Sequence, residues 1–214
     1  MEGKKILIKQ KEIIFLYIIY AVGIAGHLIT PLQNLMITLT PAALLITGAV
    51  VLYYSAVSAN KRFIIWSFVA YVFTFICEVA GVKTGLIFGG YSYGSALGFK
   101  LFDVPLIIGF NWLFVILGSI LVAQIITKNI FFASLLTASL SVLFDLVLEP
   151  VAIKLNYWHW DNNIIPLQNY IAWFLIAFTS SMLFFIFKVE VKSKAAVHYL
   201  FIQFAFFLIL MFFI

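Results

Sequence analysis

Seven apolar runs of the length a bilayer demands leave this chain few folds to adopt. A hydrocarbon core about 30 Å thick takes roughly 20 residues of helix per crossing. Such runs recur at 13–30, 39–57, 63–80, 104–126, 131–150, 167–187 and 196–214. In hydrocarbon every backbone N–H and C=O must find a partner, so a span is either a helix or a strand of a closed barrel. Runs this long read as helices. Composition agrees: 65% of residues are hydrophobic and 10% charged, against about 45–50% and about 25% in soluble domains. The expected fold is an all-α, polytopic membrane helix bundle of about seven spans. Residues 1–214 are expected to form a single integral membrane domain in a cell membrane. One cysteine, Cys77, excludes an internal disulfide and any multi-cysteine metal site.

The net charge of +5 is distributed as a topology signal. Lys4, Lys5, Lys9, Lys11, Lys61, Arg62, Lys128, Lys188, Lys192 and Lys194 all fall on one side if the spans alternate, and Lys83, Lys100 and Lys154 fall on the other. By the positive-inside rule the N-terminus is expected inside and the C-terminus outside. The first span follows basic residues as a signal peptide would. Its length and the lack of a small-x-small cleavage site predict a retained helix instead.

The 81–103 connection has a different character. It holds Gly81, Gly85, Gly89, Gly90, Gly94 and Gly98, half of the chain's 12 glycines. Each glycine costs a helix about 1 kcal/mol relative to alanine, so a regular helix is not expected. Tyr91 and Tyr93, alternating with small residues, predict a short extended or turn segment. Two readings stay open: a re-entrant loop or lid over a pocket, or an ordinary connection resting at the interface. Non-helical backbone at membrane depth is tolerated only where protein buries it or a cavity adjoins it.

Charge inside the spans is the chemical signal. Asp145 and Glu149 alone interrupt the run 131–150 with charge, and an i, i+4 spacing puts them on one face of a helix. Carboxylates in hydrocarbon are expensive and mark functional sites by default. Two of them on one poorly hydrated face favour holding a proton between them. With the spans alternating, Glu78, Asn111, Trp112, Asn169, Trp173 and His27 fall in the same outer layer of the membrane as this pair. The inner halves carry no acid.

Plainer roles exist for most of these residues. His27 can be a hydrogen-bonded packing residue, Asn111 and Asn169 can bond between helices, and Glu78 can reach the headgroups. Tyr157, Trp158 and Trp160 can form an aromatic belt, with His159 and Asp161 solvated. Asp145 and Glu149 resist such readings, because no lysine or arginine lies in the spans to neutralise them. Three histidines without ligand spacing do not make a metal site, and no aspartate-rich run, phosphate loop or Ser-His-Asp set is present. No metal or cofactor is expected.

Several short motifs in a fixed order add a family. Thr84-Gly85-Leu86-Ile87-Phe88-Gly89-Gly90-Tyr91-Ser92-Tyr93-Gly94 precedes Val104-Pro105-Leu106 and Gly109-Phe110-Asn111-Trp112. Asp145-Leu146-Val147-Leu148-Glu149-Pro150-Val151-Ala152, Trp158-His159-Trp160, Ile165-Pro166-Leu167-Gln168-Asn169-Tyr170 and Trp173 follow. Over about 90 residues, with Glu78 just upstream, this order resembles the membrane carotenoid-biosynthesis family that contains carotenoid 1',2'-hydratases and the bisanhydrobacterioruberin hydratase.

The resemblance implies a linear or monocyclic carotenoid substrate held in the bilayer, and addition of water across its terminal C1',2' double bond. Other carotenoid-biosynthesis enzymes are candidate partners, and nucleic acid is not. The chemistry this requires assigns catalysis to Asp145, Glu149 and Glu78. Substrate binding falls to Asn111, Trp112, Asn169, Trp173, Tyr91, Tyr93 and His27. A carotenoid end-group cyclase shares the protonation step, and a proton-coupled transporter or a non-catalytic scaffold are the rivals from other classes.

Overall fold

A computed structural model describes residues 10–214; Lys4, Lys5 and Lys9 of the charge argument lie outside the described residues. Among the described residues there are seven α-helices: α1 (Lys11–Leu28), α2 (Thr30–Val57), α3 (Arg62–Thr84), α4 (Leu106–Ile126), α5 (Ile130–Lys154), α6 (Leu167–Ile186) and α7 (Lys194–Phe213). All seven are long and apolar enough to cross a membrane. The chain is an all-α bundle and a multi-pass integral membrane protein. Helix α4 is its axis, with 78% of its best apolar window buried, whereas α1 and α2 are peripheral at 28% and 17%.

Local chemistry sets the boundaries. Asn129 caps α5 by accepting the Phe132 N–H at 3.2 Å, and Ser193 caps α7 by accepting that of Ala196 at 3.2 Å. Helix α3 ends on Gly85, whose φ of +66° is the left-handed C-cap that glycine adopts without strain. One expected boundary is corrected: α2 begins at Thr30 rather than near 39, so a single extended residue, Ile29, separates it from α1. Pro31 sits in the first helical turn, where its missing N–H costs nothing.

Two ends can be distinguished. At the base, the α2–α3 connection meets the α6–α7 connection: Asn60 Nδ2 donates to the Lys188 carbonyl at 3.0 Å, and the Asn60 N–H to that of Glu190 at 2.9 Å. Between these helices Ser55 and Ser193 bond at 2.8 Å. At the opposite end, Lys154 Nζ donates to the Ile214 carbonyl at 2.5 Å. Lys11, Lys61, Arg62, Lys128, Lys188, Lys192 and Lys194 belong to the base, and Lys83, Lys100 and Lys154 to the other end.

That other end is closed by β structure. Strand β1 (Tyr91–Tyr93) pairs antiparallel with β4 (Trp158–Trp160), matching Tyr91 to Trp160 and Tyr93 to Trp158. A smaller hairpin joins β2 (Lys100–Leu101) to β3 (Val104–Pro105). The glycine-rich connection is thus an ordered lid over a cavity. Lys100 Nζ ties the hairpin to the ribbon by donating to the Tyr93 carbonyl at 2.6 Å. Trp158 and Trp160 are buried and inward-facing rather than a belt, while His159 and Asp161 are exposed as expected.

Gly94 closes the ribbon. Its N–H donates to the Tyr157 carbonyl at 2.9 Å, and a Cβ there would run into the Asn156 backbone oxygen. Backbone cannot swing aside as a side chain can. Gly94→Ala is expected to cost about 1–3 kcal/mol, read as a lower thermal midpoint of the detergent-solubilised protein.

Candidate active site

The ribbon lids an apolar cavity of about 240 Å³, and the ten residues singled out by sequence all line it. Three carboxyl groups converge there: Glu78 from α3, and Asp145 and Glu149 from α5. They are 3%, 1% and 2% exposed, which removes the headgroup-reaching role for Glu78.

Each acid has its own donors. Tyr91 and Tyr93 both donate their hydroxyls to Glu78 Oε2, Tyr93 at 2.7 Å. Burial, and next the charge of Glu78, push both phenols well above their ordinary range, so both stay protonated and able to donate. Across the ribbon, Trp158 and Trp160 donate their indole N–H groups to Glu149 Oε2 at 2.9 and 2.7 Å. Asn169 bridges the pair on α5. Its Nδ2 donates to Asp145 Oδ2 at 2.7 Å and, more weakly, to Glu149 Oε1 at 3.4 Å. Asp145 therefore has one donor, Glu78 two and Glu149 three.

The β register explains this division. Alternate strand residues point to one face, so Tyr91 and Tyr93 face inward together, as do Trp158 and Trp160. Pairing the strands then delivers two phenols to one acid and two indoles to another. The Trp-x-Trp and Tyr-x-Tyr spacings carried this signal in the sequence. What the sequence did not carry was the pairing of segments more than 60 residues apart.

Aromatic rings build the wall beside the acids. Trp112 stacks on Trp173 with centroids 3.5 Å apart, Phe88 lies 5.2 Å from Trp173, and Tyr91 lies 4.9 Å from Trp160. Trp173 thus gives one face to Trp112 and stiffens the wall. Phe88, absent from the sequence expectation, is fully buried within it.

Two polar residues are partly committed elsewhere. Asn111 Oδ1 accepts from Gln203 Nε2 at 2.8 Å and from the Tyr199 hydroxyl at 3.3 Å, which ties α4 to α7. His27 Nδ1 donates to the Gly23 carbonyl at 2.7 Å. That bond fixes the tautomer, leaving Nε2 as a buried acceptor without a protein partner on the cavity wall. Among the described residues no group of three or more His, Cys, Asp or Glu is arranged to hold a metal ion.

Acids fixed by directed donors, in an apolar chamber walled by π faces, suit proton transfer to a hydrophobic substrate and stabilisation of a carbocation. The bisanhydrobacterioruberin hydratase of Haloarcula japonica is 29% identical over 121 residues, which cover 53% of this chain and 41% of that protein. The match thus spans well under half the length of that relative. No solved structure matches the chain. The family model described as carotenoid biosynthesis protein matches residues 39–214, and the chain belongs to that family.

Proposed function

We propose that the chain is a cofactor-independent hydratase that adds water to the terminal C1',2' double bond of a linear or monocyclic carotenoid. The observation that carries this reading is the set of three buried carboxyl groups, unequally supplied with donors, on the wall of one apolar cavity. A carboxylate that accepts several hydrogen bonds is stabilised in its charged form. Glu149 and Glu78 are accordingly assigned as carboxylates, and Asp145, with a single donor, holds the proton.

The reaction then needs nothing beyond substrate and water. Asp145 delivers its proton to the less substituted alkene carbon as the π bond breaks, leaving a tertiary cation at its neighbour. The aromatic wall and the two carboxylates stabilise that charge. Water attacks the cation as Glu149 takes one of its protons, giving the tertiary alcohol. The proton returns to Asp145 by way of the Asn169-bridged pair or solvent, and the cycle closes. Asn111 and His27 are assigned to hold the water or the new hydroxyl.

The orientation belongs to the same reading. With the base of the bundle carrying most of the lysine and arginine, the N-terminus lies in the cytoplasm and the ribbon end outside. Residues 1–214 act as one membrane domain.

Expression in a host that accumulates an open-ended carotenoid tests the reaction. The expected pigment is heavier by one water for each reacted end. An isomer of unchanged mass would identify the cyclase, in which an internal double bond captures the cation. Unaltered pigment would sink both. A proton-coupled transporter is disfavoured by the placement of the acids, since all three of the buried ones described line this single cavity.

A further inference from the structure

We infer that the cavity takes only the end group of its substrate, admitted sideways from the bilayer through a window between α1 and α2, while the rest of the polyene stays in lipid. This rests on the hydratase reading above and adds to it what the site does and does not inspect. The first observation is size. At about 240 Å³ the cavity falls below the roughly 300–1,000 Å³ of pockets that enclose drug-sized ligands. A long polyene cannot be housed in it.

The second is where the cavity opens. Nearly all its lining residues are buried or half-buried; the two that are exposed are Val22 on α1, at 58%, and Leu39 on α2, at 46%. They belong to adjacent antiparallel helices joined at Ile29. Val22 stands 11 residues beyond Lys11, or about 17 Å at 1.5 Å per residue. Measured against a hydrocarbon core of about 30 Å, that is acyl-chain depth, not headgroup depth. The opening therefore faces lipid tails.

The third is what lies behind it. Gly23, next to Val22, presents no side chain, and a Cβ there would stand 3.2 Å from the Phe206 ring. Behind the opening, Phe206, His27 and the three acids line the same cavity, and both helices framing it are the least buried of the seven. A substrate dissolved in the membrane can thus insert one end without leaving the bilayer. Its far end remains outside, where no residue of the chamber reads it. Specificity is then for an unmodified isoprenoid terminus whatever the other terminus carries, and a substrate with two such ends is processed in separate visits.

Purified protein in lipid vesicles tests this with two polyenes of equal length: one open at both ends, the other capped at one end by a bulky sugar. The initial rates per open end are expected to differ by less than roughly tenfold, and the doubly open substrate to pass through a singly hydrated product that accumulates first. Rejection of the capped substrate by tenfold or more, while the open one reacts, would overturn the window. That margin is within reach of steric exclusion from a closed pocket. If the open substrate itself does not react, the hydratase reading fails instead. In a second arm, Val22→Trp with Leu39→Trp is expected to lower kcat/KM on the open polyene at least tenfold, and Val22→Ala with Leu39→Ala is not. Wild-type kcat/KM in a folded tryptophan variant would also overturn the proposal. Should that variant fail to fold, the capped substrate decides.

Discussion

Asp145→Asn is expected to reduce hydration of an open-ended carotenoid by about 10²- to 10⁴-fold, the usual contribution of a positioned general acid. The substitution is close to isosteric. Its amide oxygen still accepts from Asn169 Nδ2, which donates to Asp145 Oδ2 at 2.7 Å. What disappears is an acidic proton in a site that is 1% exposed. The thermal midpoint should stay near that of the wild type, because no buried donor loses its acceptor. Turnover of purified protein measured beside its melting curve separates the two effects. A variant with wild-type turnover would remove Asp145 from the chemistry.

Glu149→Gln is expected to lower activity by at least about 10²-fold and, unlike the first change, to cost stability. Glu149 receives three donors: the indoles of Trp158 and Trp160 on one oxygen and Asn169 on the other. A glutamine has one oxygen to offer. Whichever way its amide is turned, its NH₂ faces a buried N–H, and an unsatisfied buried group costs about 1–3 kcal/mol. In a chain of this size each kcal/mol moves the midpoint by roughly 2–4 °C. The same melting curves that leave Asp145→Asn unchanged should therefore show Glu149→Gln shifted down. Equal midpoints would contradict the three-donor arrangement.

This contrast also marks how far the sequence was legible. Periodic apolar length exposed seven spans, and i, i+4 acids in hydrocarbon exposed half the site, because both signals are local. Span alternation brought Glu78, Asn111, Asn169, Trp173 and His27 to the same layer, and the cavity gathers them. Helix α2 starts at Thr30 rather than near the expected 39, with Pro31 in its first turn. An aromatic belt is one role that the sequence leaves open to Trp158 and Trp160. Interface aromatics and buried donors have the same composition, and only the pairing of β1 with β4, a contact between distant segments, turns them inward. The unequal division of donors among the three acids is likewise a property of the closed ribbon, invisible before the strands are paired.

The most direct measurement is the isotopic composition of the product formed by purified protein in heavy water carrying labelled oxygen, with no cofactor added. Acid-catalysed hydration predicts one deuterium on the less substituted carbon of the former double bond and one labelled oxygen on its tertiary neighbour, with both lost in Asp145→Asn. A product of unchanged oxygen content, or full labelling by the Asp145→Asn protein, would contradict it.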